Sequence, residues 1–280
     1  MVLKVLVGIL LLVMPQNLMA TSLYSESARA TAKIEAGQHL DELRKQGALG
    51  LQETRPIKII GRKPIGGDSK IIHLIRHGQG FHNLLGDVYR DFGKSVDSTG
   101  DKNGESPYRR PEIVDPPLTT VGRDQAKALQ GVAKNIDLVV CSPLLRALQT
   151  AALAFPDERS SVPWIAHPDA REASGVNTCD MHRAKSEIQD DFPFLDLSLI
   201  SENDDYWTPD ARESAKTVSD RAYNLLLWIK ARKESNIVIA THSAYLFTLL
   251  NTAITCEPPE LANWFLTGEL RSIAISFSED

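Results

Sequence analysis

Three short apolar runs in this chain each stop abruptly at a group of polar residues. The runs cover residues 70–75, 137–141 and 236–240, and they are rich in the valine, isoleucine and leucine of buried parallel strands. The polar groups that follow them are Arg76-His77-Gly78, Ser142-Pro143 and Thr241-His242-Ser243. A fourth run, at residues 271–277, alternates apolar and polar side chains. The chain therefore contains at least four predicted strands.

Helix-compatible segments separate these strands. They cover residues 120–133, 144–154, 214–232 and 244–254. Strands that alternate with amphipathic helices predict an α/β fold, a three-layer α/β/α sandwich with a mostly parallel central sheet. Ligands bind such sheets beyond the carboxyl ends of the strands, so the three polar groups should meet at one edge.

The N-terminal part of the chain divides into two predicted segments. Lys4 precedes an apolar run over residues 5–14, Pro15 breaks that run, and Ala20 is a small residue suited to cleavage. We predict that residues 1–20 are a secretory signal peptide, with an uncleaved anchor as the alternative. The protein would then be secreted or lumenal, or would reach an organelle through the endoplasmic reticulum.

Two further regions lack a clear pattern. Residues 21–69 are predicted to be an N-terminal surface extension with a helix-compatible stretch at 25–46, a second targeting signal being the alternative. Residues 70–280 form the predicted α/β domain. Within it, residues 84–117 are polar, rich in glycine and proline and without periodicity, which is typical of a lid or a disordered excursion.

Charge and cysteine content exclude several functions. The formal net charge is −5, so nothing in the overall composition favours nucleic acid or anionic lipid. Three cysteines do not make a disulfide framework: Cys141 ends an apolar run and is predicted to be buried, while a Cys179–Cys256 bridge stays open. The histidines at 73, 77 and 82 lack the spacing of a metal site, so we expect no metal and no cofactor.

The strand-end residues are suited to phosphate chemistry. A neutral imidazole such as that of His77 is a good nucleophile toward phosphorus and also a competent leaving group. Arg76 and Arg146 can bind phosphate oxygens, and Gly78 would let the backbone approach a substrate. Together with His242 they predict a cationic pocket, whose desolvation only an anion would offset.

The order of the motifs resembles the histidine phosphatase superfamily, which includes the cofactor-dependent phosphoglycerate mutases. The motifs that carry the resemblance are Leu74-Ile75-Arg76-His77-Gly78 through His82-Asn83, Leu118-Thr119-Thr120-Val121-Gly122, Ser142-Pro143-Leu144-Leu145-Arg146, Arg171-Glu172 and Thr241-His242-Ser243. The match runs from about residue 70 to 277. This resemblance assigns residues 70–280 to a phosphoglycerate-mutase-like domain.

The resemblance also implies a role for each matching residue. His77 would become phosphohistidine, and Glu172 would protonate the leaving oxygen and later activate water. Arg76, Arg146 and His242 would bind the phosphoryl group, with Asn83 beside them. Two alternatives remain for this assignment: Glu172 is a solvated loop carboxylate, or the nearby Asp169 is the acid. Arg183 would meet the rest of the substrate or, alternatively, pair with Asp180.

Two departures from the family pattern bear on the activity. Gly80-Phe81 stand where mutases usually carry Glu-Ser, which favours a phosphatase. Thr241 stands where the family more often has glycine, and we expect it to narrow the pocket. The predicted function is that of a histidine acid-type phosphatase, a hydrolase of small phosphate monoesters. The alternatives are a phosphoglycerate mutase and a pseudo-enzyme that binds a phosphorylated ligand, and the oligomeric state stays open.

Overall fold

A computed structural model describes residues 24–67, 70–97 and 106–279, and the predicted signal peptide lies outside these ranges. Seven strands in the described ranges form one sheet in the order β4-β3-β5-β2-β7-β1-β6. The strands are β1 (Ile57–Arg62), β2 (Ile71–Arg76), β3 (Leu138–Cys141), β4 (Trp164–Ala166), β5 (Asn236–Thr241), β6 (Thr255–Glu257) and β7 (Leu270–Glu279). The four strands predicted from sequence are β2, β3, β5 and β7.

The register of the sheet brings the strand-end motifs together. β2 pairs in parallel with β5, so that Arg76 lies opposite Thr241, and β3 pairs in parallel with β5 on its other side. The ladder continues one residue further, because the backbone N–H of His77 donates to the carbonyl of Thr241 at 2.9 Å. His77 and His242 therefore emerge side by side. The predicted mostly parallel sheet is confirmed, with β7 antiparallel to both β2 and β1.

Helices cover both faces of the sheet. They are α1 (Glu26–Lys45), α2 (Leu51–Thr54), α3 (Phe81–Asp91), α4 (Thr120–Lys127), α5 (Leu145–Ala154), α6 (Lys185–Asp191), α7 (Ala215–Lys230) and α8 (Ser243–Thr252). Leu74 of β2 packs in one apolar cluster with α7 and α8, whereas Ile75 packs in another with α5. Alternate residues of β2 thus enter opposite layers, which confirms the three-layer sandwich. None of the described helices is both long and apolar enough to cross a membrane.

The described part of the N-terminal extension is built into the domain, which differs from the prediction of a surface addition. β1 is an inner strand between β7 and β6. α1 packs through Ala32 and Leu43 on Phe247 of α8 and on Trp264. Much of this contact is made by alanines, so α1 carries no strong apolar stripe that the sequence could reveal. The boundary predicted at residue 70 falls between two strands of one sheet.

The predicted insertion at residues 84–117 also differs from expectation, because α3 forms its first part. Gly86 lies inside this helix, where glycine normally weakens a helix prediction. A Cβ atom at Gly86 would lie 2.6 Å from the hydroxyl oxygen of Tyr108. The glycine therefore permits a close contact and does not mark a turn. Residues 98–105 of the insertion lie outside the described ranges.

All three cysteines are free thiols. Cys141 is buried, as predicted. Cys179 is buried against Val96 and Tyr108, whereas Cys256 lies on the edge strand β6. The Cys179–Cys256 bridge that the sequence left open is not formed.

Candidate active site

His77 has a defined tautomer at the carboxyl end of β2. Its Nδ1–H donates to the carbonyl oxygen of Gly78 at 2.7 Å, because a carbonyl can only accept. Its Nε2 accepts from the Nε–H of Arg146 at 3.2 Å. The lone pair of the ring is therefore on Nε2, the atom that faces the guanidinium of Arg146.

Three imidazoles form the centre of the site. The ring centroid of His77 lies 5.1 Å from that of His242 and 5.4 Å from that of His82. Burial, and after it the charge of Arg146, lowers the pKa of all three well below the usual histidine range. Burial therefore favours the neutral form of all three rings.

The arginines are oriented by buried acceptors. Arg146, in the first turn of α5, donates from Nη1 to the carbonyl of Cys179 at 2.6 Å and from Nη2 to Asp180 at 2.8 Å. The other carboxylate oxygen of Asp180 accepts from Nη1 of Arg212, also at 2.8 Å. Arg76 donates to the carbonyl of Phe265 at 2.7 Å, and its buried Nε has no partner among the described residues.

Glu172 lies against the N-terminus of α8. Its Oε1 accepts from the backbone N–H groups of Ala173 at 3.0 Å and Tyr245 at 2.9 Å, and its Oε2 accepts from that of Ala244 at 3.2 Å. Glu172 is only 8% exposed, so it is not a solvated loop carboxylate. The side chain of Asp169, the competitor, is 28% exposed and lies 3.9 Å from Arg171.

A buried network fixes the loop that carries Glu172. Arg221 of α7 donates to the carbonyls of Asp169, Arg171 and Glu172 at 2.8, 2.8 and 3.0 Å. The hydroxyl of Thr241 donates to the carbonyl of Ala170 at 2.5 Å. Thr241 therefore ties this loop to the end of β5, and its hydroxyl is directed to that backbone, in contrast to the predicted narrowing of the pocket.

Most predicted site residues surround one small cavity of about 50 Å³. Those that line it are Arg76, His77, Asn83, Arg146 and Glu172. His242 is fully buried beside His77, and its Nε2 lies 2.7 Å from the hydroxyl of Ser142. The side chain of Asn83 accepts from the backbone N–H of Gly80 at 2.9 Å, so it also anchors the loop after His77.

Arg183 is the predicted residue that the structure does not bring to the cavity. Its guanidinium lies 2.8 Å from Asp191 and 3.5 Å from Asp115. The alternative pair with Asp180 is not formed either, because Asp180 contacts Arg146 and Arg212. Arg212 takes the cavity-lining place that the sequence suggested for Arg183.

Among the acidic, arginine and histidine side chains that line the cavity, the sequence missed five: His82, Asp180, Arg212, Glu35 and His39. His82 stands inside a motif that was recognised, and Asp180 was named as a possible partner of Arg183, so the sequence offered a signal for both. Arg212 and the two α1 residues are distant in sequence from every motif. Only the packing of their segments against the sheet edge reveals them.

Gly78 makes a close backbone contact that the sequence did not predict. A Cβ atom at Gly78 would lie 2.3 Å from the carbonyl oxygen of Gly122, and one at Gly122 would lie 2.1 Å from that of Gln79. The two glycines let the loop after His77 cross the start of α4. This close approach is between two backbone segments, and it holds the loop that follows His77 in place.

Comparison with known proteins identifies one family. A family model described as "Histidine phosphatase superfamily (branch 1)" matches residues 72–279. Phosphoglycerate mutase-like protein 1 of Arabidopsis thaliana is 34% identical over 243 residues, covering 74% of this chain and 81% of that protein. Phosphomutase-like protein 3 of Candida albicans is 27% identical over 201 residues, covering 67% and 61%. A solved structure of mycobacterial glucosyl-3-phosphoglycerate phosphatase matches at 19% identity with a TM-score of 0.42, covering 72% of this chain and 89% of that one.

Proposed function

The chain belongs to the histidine phosphatase superfamily, and from that premise we propose that it hydrolyses small phosphate monoesters through a phosphohistidine on His77. One observation supports this most: the hydrogen bond from Nδ1 to Gly78 leaves the lone pair of a buried, neutral imidazole on Nε2. That atom lies beside Arg146. A nucleophile and a cation that can hold the phosphoryl oxygens are therefore adjacent.

In the first step of the proposed reaction, Nε2 of His77 attacks phosphorus and the ester P–O bond breaks. The guanidinium groups of Arg76 and Arg146 stabilise charge on the phosphoryl oxygens, and Glu172 in its acid form gives a proton to the leaving oxygen. A free alcohol departs, and phosphohistidine and the Glu172 carboxylate remain.

In the second step water attacks the phosphohistidine. The Glu172 carboxylate takes a proton from the water as the P–N bond breaks, which restores neutral His77 and releases inorganic phosphate. The arginines supply the positive charge that a metal ion provides in metal-dependent phosphatases. We propose that neither a metal nor a cofactor takes part.

A phosphoglycerate mutase is the second candidate, because the plant relative is named mutase-like. It would use the same phosphohistidine but transfer the group to a second hydroxyl. Gly80 and Phe81 argue against it: they lack the carboxylate and hydroxyl of the mutase pattern, and the Phe81 side chain is exposed. A pseudo-enzyme is disfavoured, since the nucleophile, the arginines and Glu172 are all in place.

Purified protein incubated with a panel of phosphate monoesters, phosphoglycerate included, tests the proposal. We expect release of inorganic phosphate from at least one ester, unchanged by a chelator and lost in His77→Ala. Clean isomerisation of phosphoglycerate without phosphate release would favour the mutase. Binding of esters without turnover would favour the pseudo-enzyme.

A further inference from the structure

Helix α1 forms part of the wall of the small cavity at His77, where we propose that the phosphoryl group binds. Glu35 and His39 of this helix line the same cavity as His77 and Arg146. The His39 ring lies 4.8 Å from Trp264, and the backbone N–H of Ala215 donates to the Gln46 side chain just beyond the helix. A segment outside the region matched by the family model, which begins at residue 72, thus completes the site.

Glu35 is a buried carboxylate, although filling its position does not require a charged side chain. It is 7% exposed, and its Oε1 lies 2.9 Å from Nη2 of Arg90. Arg90 also pairs with Asp87 at 3.1 Å. Burying such a charge is costly even when it is paired. One donor from Arg90 leaves most of the lone pairs of the carboxylate available to a ligand.

A second, larger cavity adjoins the first. Its volume is about 270 Å³, and Glu35, Arg76 and Asn83 line both cavities. The charged residues around it are two arginines, Arg76 and Arg90, and two acids, Glu35 and Asp87. Within the described part of the chain this outer cavity therefore has no excess positive charge, in contrast to what a second phosphate or a carboxylate would need.

The remaining polar lining supplies hydrogen bonds without charge. Amides from Gln79 and Gln125 and hydroxyls from Thr31 and Thr267 border the outer cavity. Donors and acceptors are both present, and the aromatic side chain that lines the cavity within the described ranges, Tyr24, carries a hydroxyl as well. Mixed donors and acceptors around neutral space match the hydroxyl groups of a sugar or polyol better than an aromatic or acyl group.

We infer that Glu35 is a specificity-determining residue: it accepts hydrogen bonds from hydroxyl groups of the substrate, which is a phosphate ester of a small polyhydroxylated carbon skeleton. This inference rests on the proposed function. The phosphoryl group occupies the inner cavity at His77, and the hydroxylated part extends past Glu35 into the outer one. A phosphoglycerate would place its carboxylate in the outer cavity, where Glu35 and Asp87 balance the two arginines and no excess positive charge is left to hold it.

Glu35→Gln tests this assignment with little change in shape. The amide oxygen stays with Arg90, so the amide nitrogen faces the substrate as a donor where an acceptor is needed. We expect kcat/KM for a hexose phosphate to fall about tenfold, the usual worth of a hydrogen bond to a charged group. The value for nitrophenyl phosphate, which has no hydroxyl groups, should change by less than about twofold on the same reasoning.

Asp41→Asn is the matched control, because it removes the same charge from the same helix at a side chain that is 77% exposed. It should leave both rates unchanged, and thermal unfolding should show that both variants are folded. Equal losses on the two substrates, or no loss on the hexose phosphate, would overturn the role of Glu35. Wild-type turnover of nitrophenyl phosphate but of no polyhydroxylated ester would overturn the substrate class, whereas no turnover of any ester would overturn the proposed function itself.

Discussion

Replacement of Glu172 by glutamine separates the structural contacts of this residue from its proposed role as the general acid. The glutamine oxygen can keep the hydrogen bonds from Ala173 and Tyr245. Its amide nitrogen then faces the backbone N–H of Ala244, which in the wild type donates to Oε2 at 3.2 Å. One buried donor loses its acceptor, which costs about 1–3 kcal/mol of unfolding free energy. Loss of general acid catalysis should slow release of a poor leaving group by about 10²–10⁴-fold.

Two substrates with different leaving groups reveal the catalytic part of this loss. An alkyl phosphate needs a proton on the departing oxygen, whereas nitrophenolate departs without one. We expect the rate of phosphoenzyme formation to fall steeply for the alkyl ester and little for nitrophenyl phosphate in Glu172→Gln. Water attack then becomes limiting, so phosphorylated His77 should accumulate. Rapid-quench measurements of both esters, with urea unfolding in parallel, provide the necessary data.

Asp169→Asn is the control for this experiment, since Asp169 is near Glu172 in sequence but does not line the cavity. It should preserve the ratio of the two rates. If Glu172→Gln slows both esters equally and no phosphoenzyme accumulates, Glu172 is not the acid. If Asp169→Asn gives the selective loss instead, the assignment passes to Asp169.

Three further predictions follow from charge, burial and sequence. Because burial and the arginines hold the pKa of His77 well below its usual range, kcat/KM should show no loss of the nucleophile as the pH falls through about 6.5; a decrease there, corrected for the ionisation of the ester, would contradict this. Asp180→Asn leaves Arg146 and Arg212 without their shared carboxylate and should lower the free energy of unfolding by about 3–5 kcal/mol in urea titrations, whereas a change near zero would show that Asp180 does not stabilise the pair. We propose that residues 1–20 are a cleaved secretory signal peptide, so protein from its own cells should begin near Thr21, and an intact initiator methionine would rule out this cleavage.

Local patterns explain what could be predicted from the sequence. His77 and His242 each follow a short apolar strand directly, and parallel strands end at the same edge, so their proximity follows from topology alone. Arg146 lies in the first turn of the helix after β3, which places it at that edge as well.

The missed features depend on contacts between distant segments. Glu35 reaches the cavity because α1 packs on α8 through small residues. Arg212 reaches it because its guanidinium pairs with Asp180. Gly86 was interpreted as a turn residue, but it lies in a helix where the close Tyr108 hydroxyl leaves no room for a Cβ atom. Arg183 showed the reverse error: a suitable side chain beside a motif pairs with Asp191 instead.

Direct detection of the covalent intermediate tests the central claim. Protein mixed briefly with a phosphate monoester, quenched in base and digested for mass spectrometry should carry an acid-labile, base-stable phosphate on His77. Glu172→Gln should increase the amount that is trapped, and His77→Ala should abolish it together with turnover. Near-normal turnover in His77→Ala, or a phosphate found on another residue, would contradict the proposed mechanism.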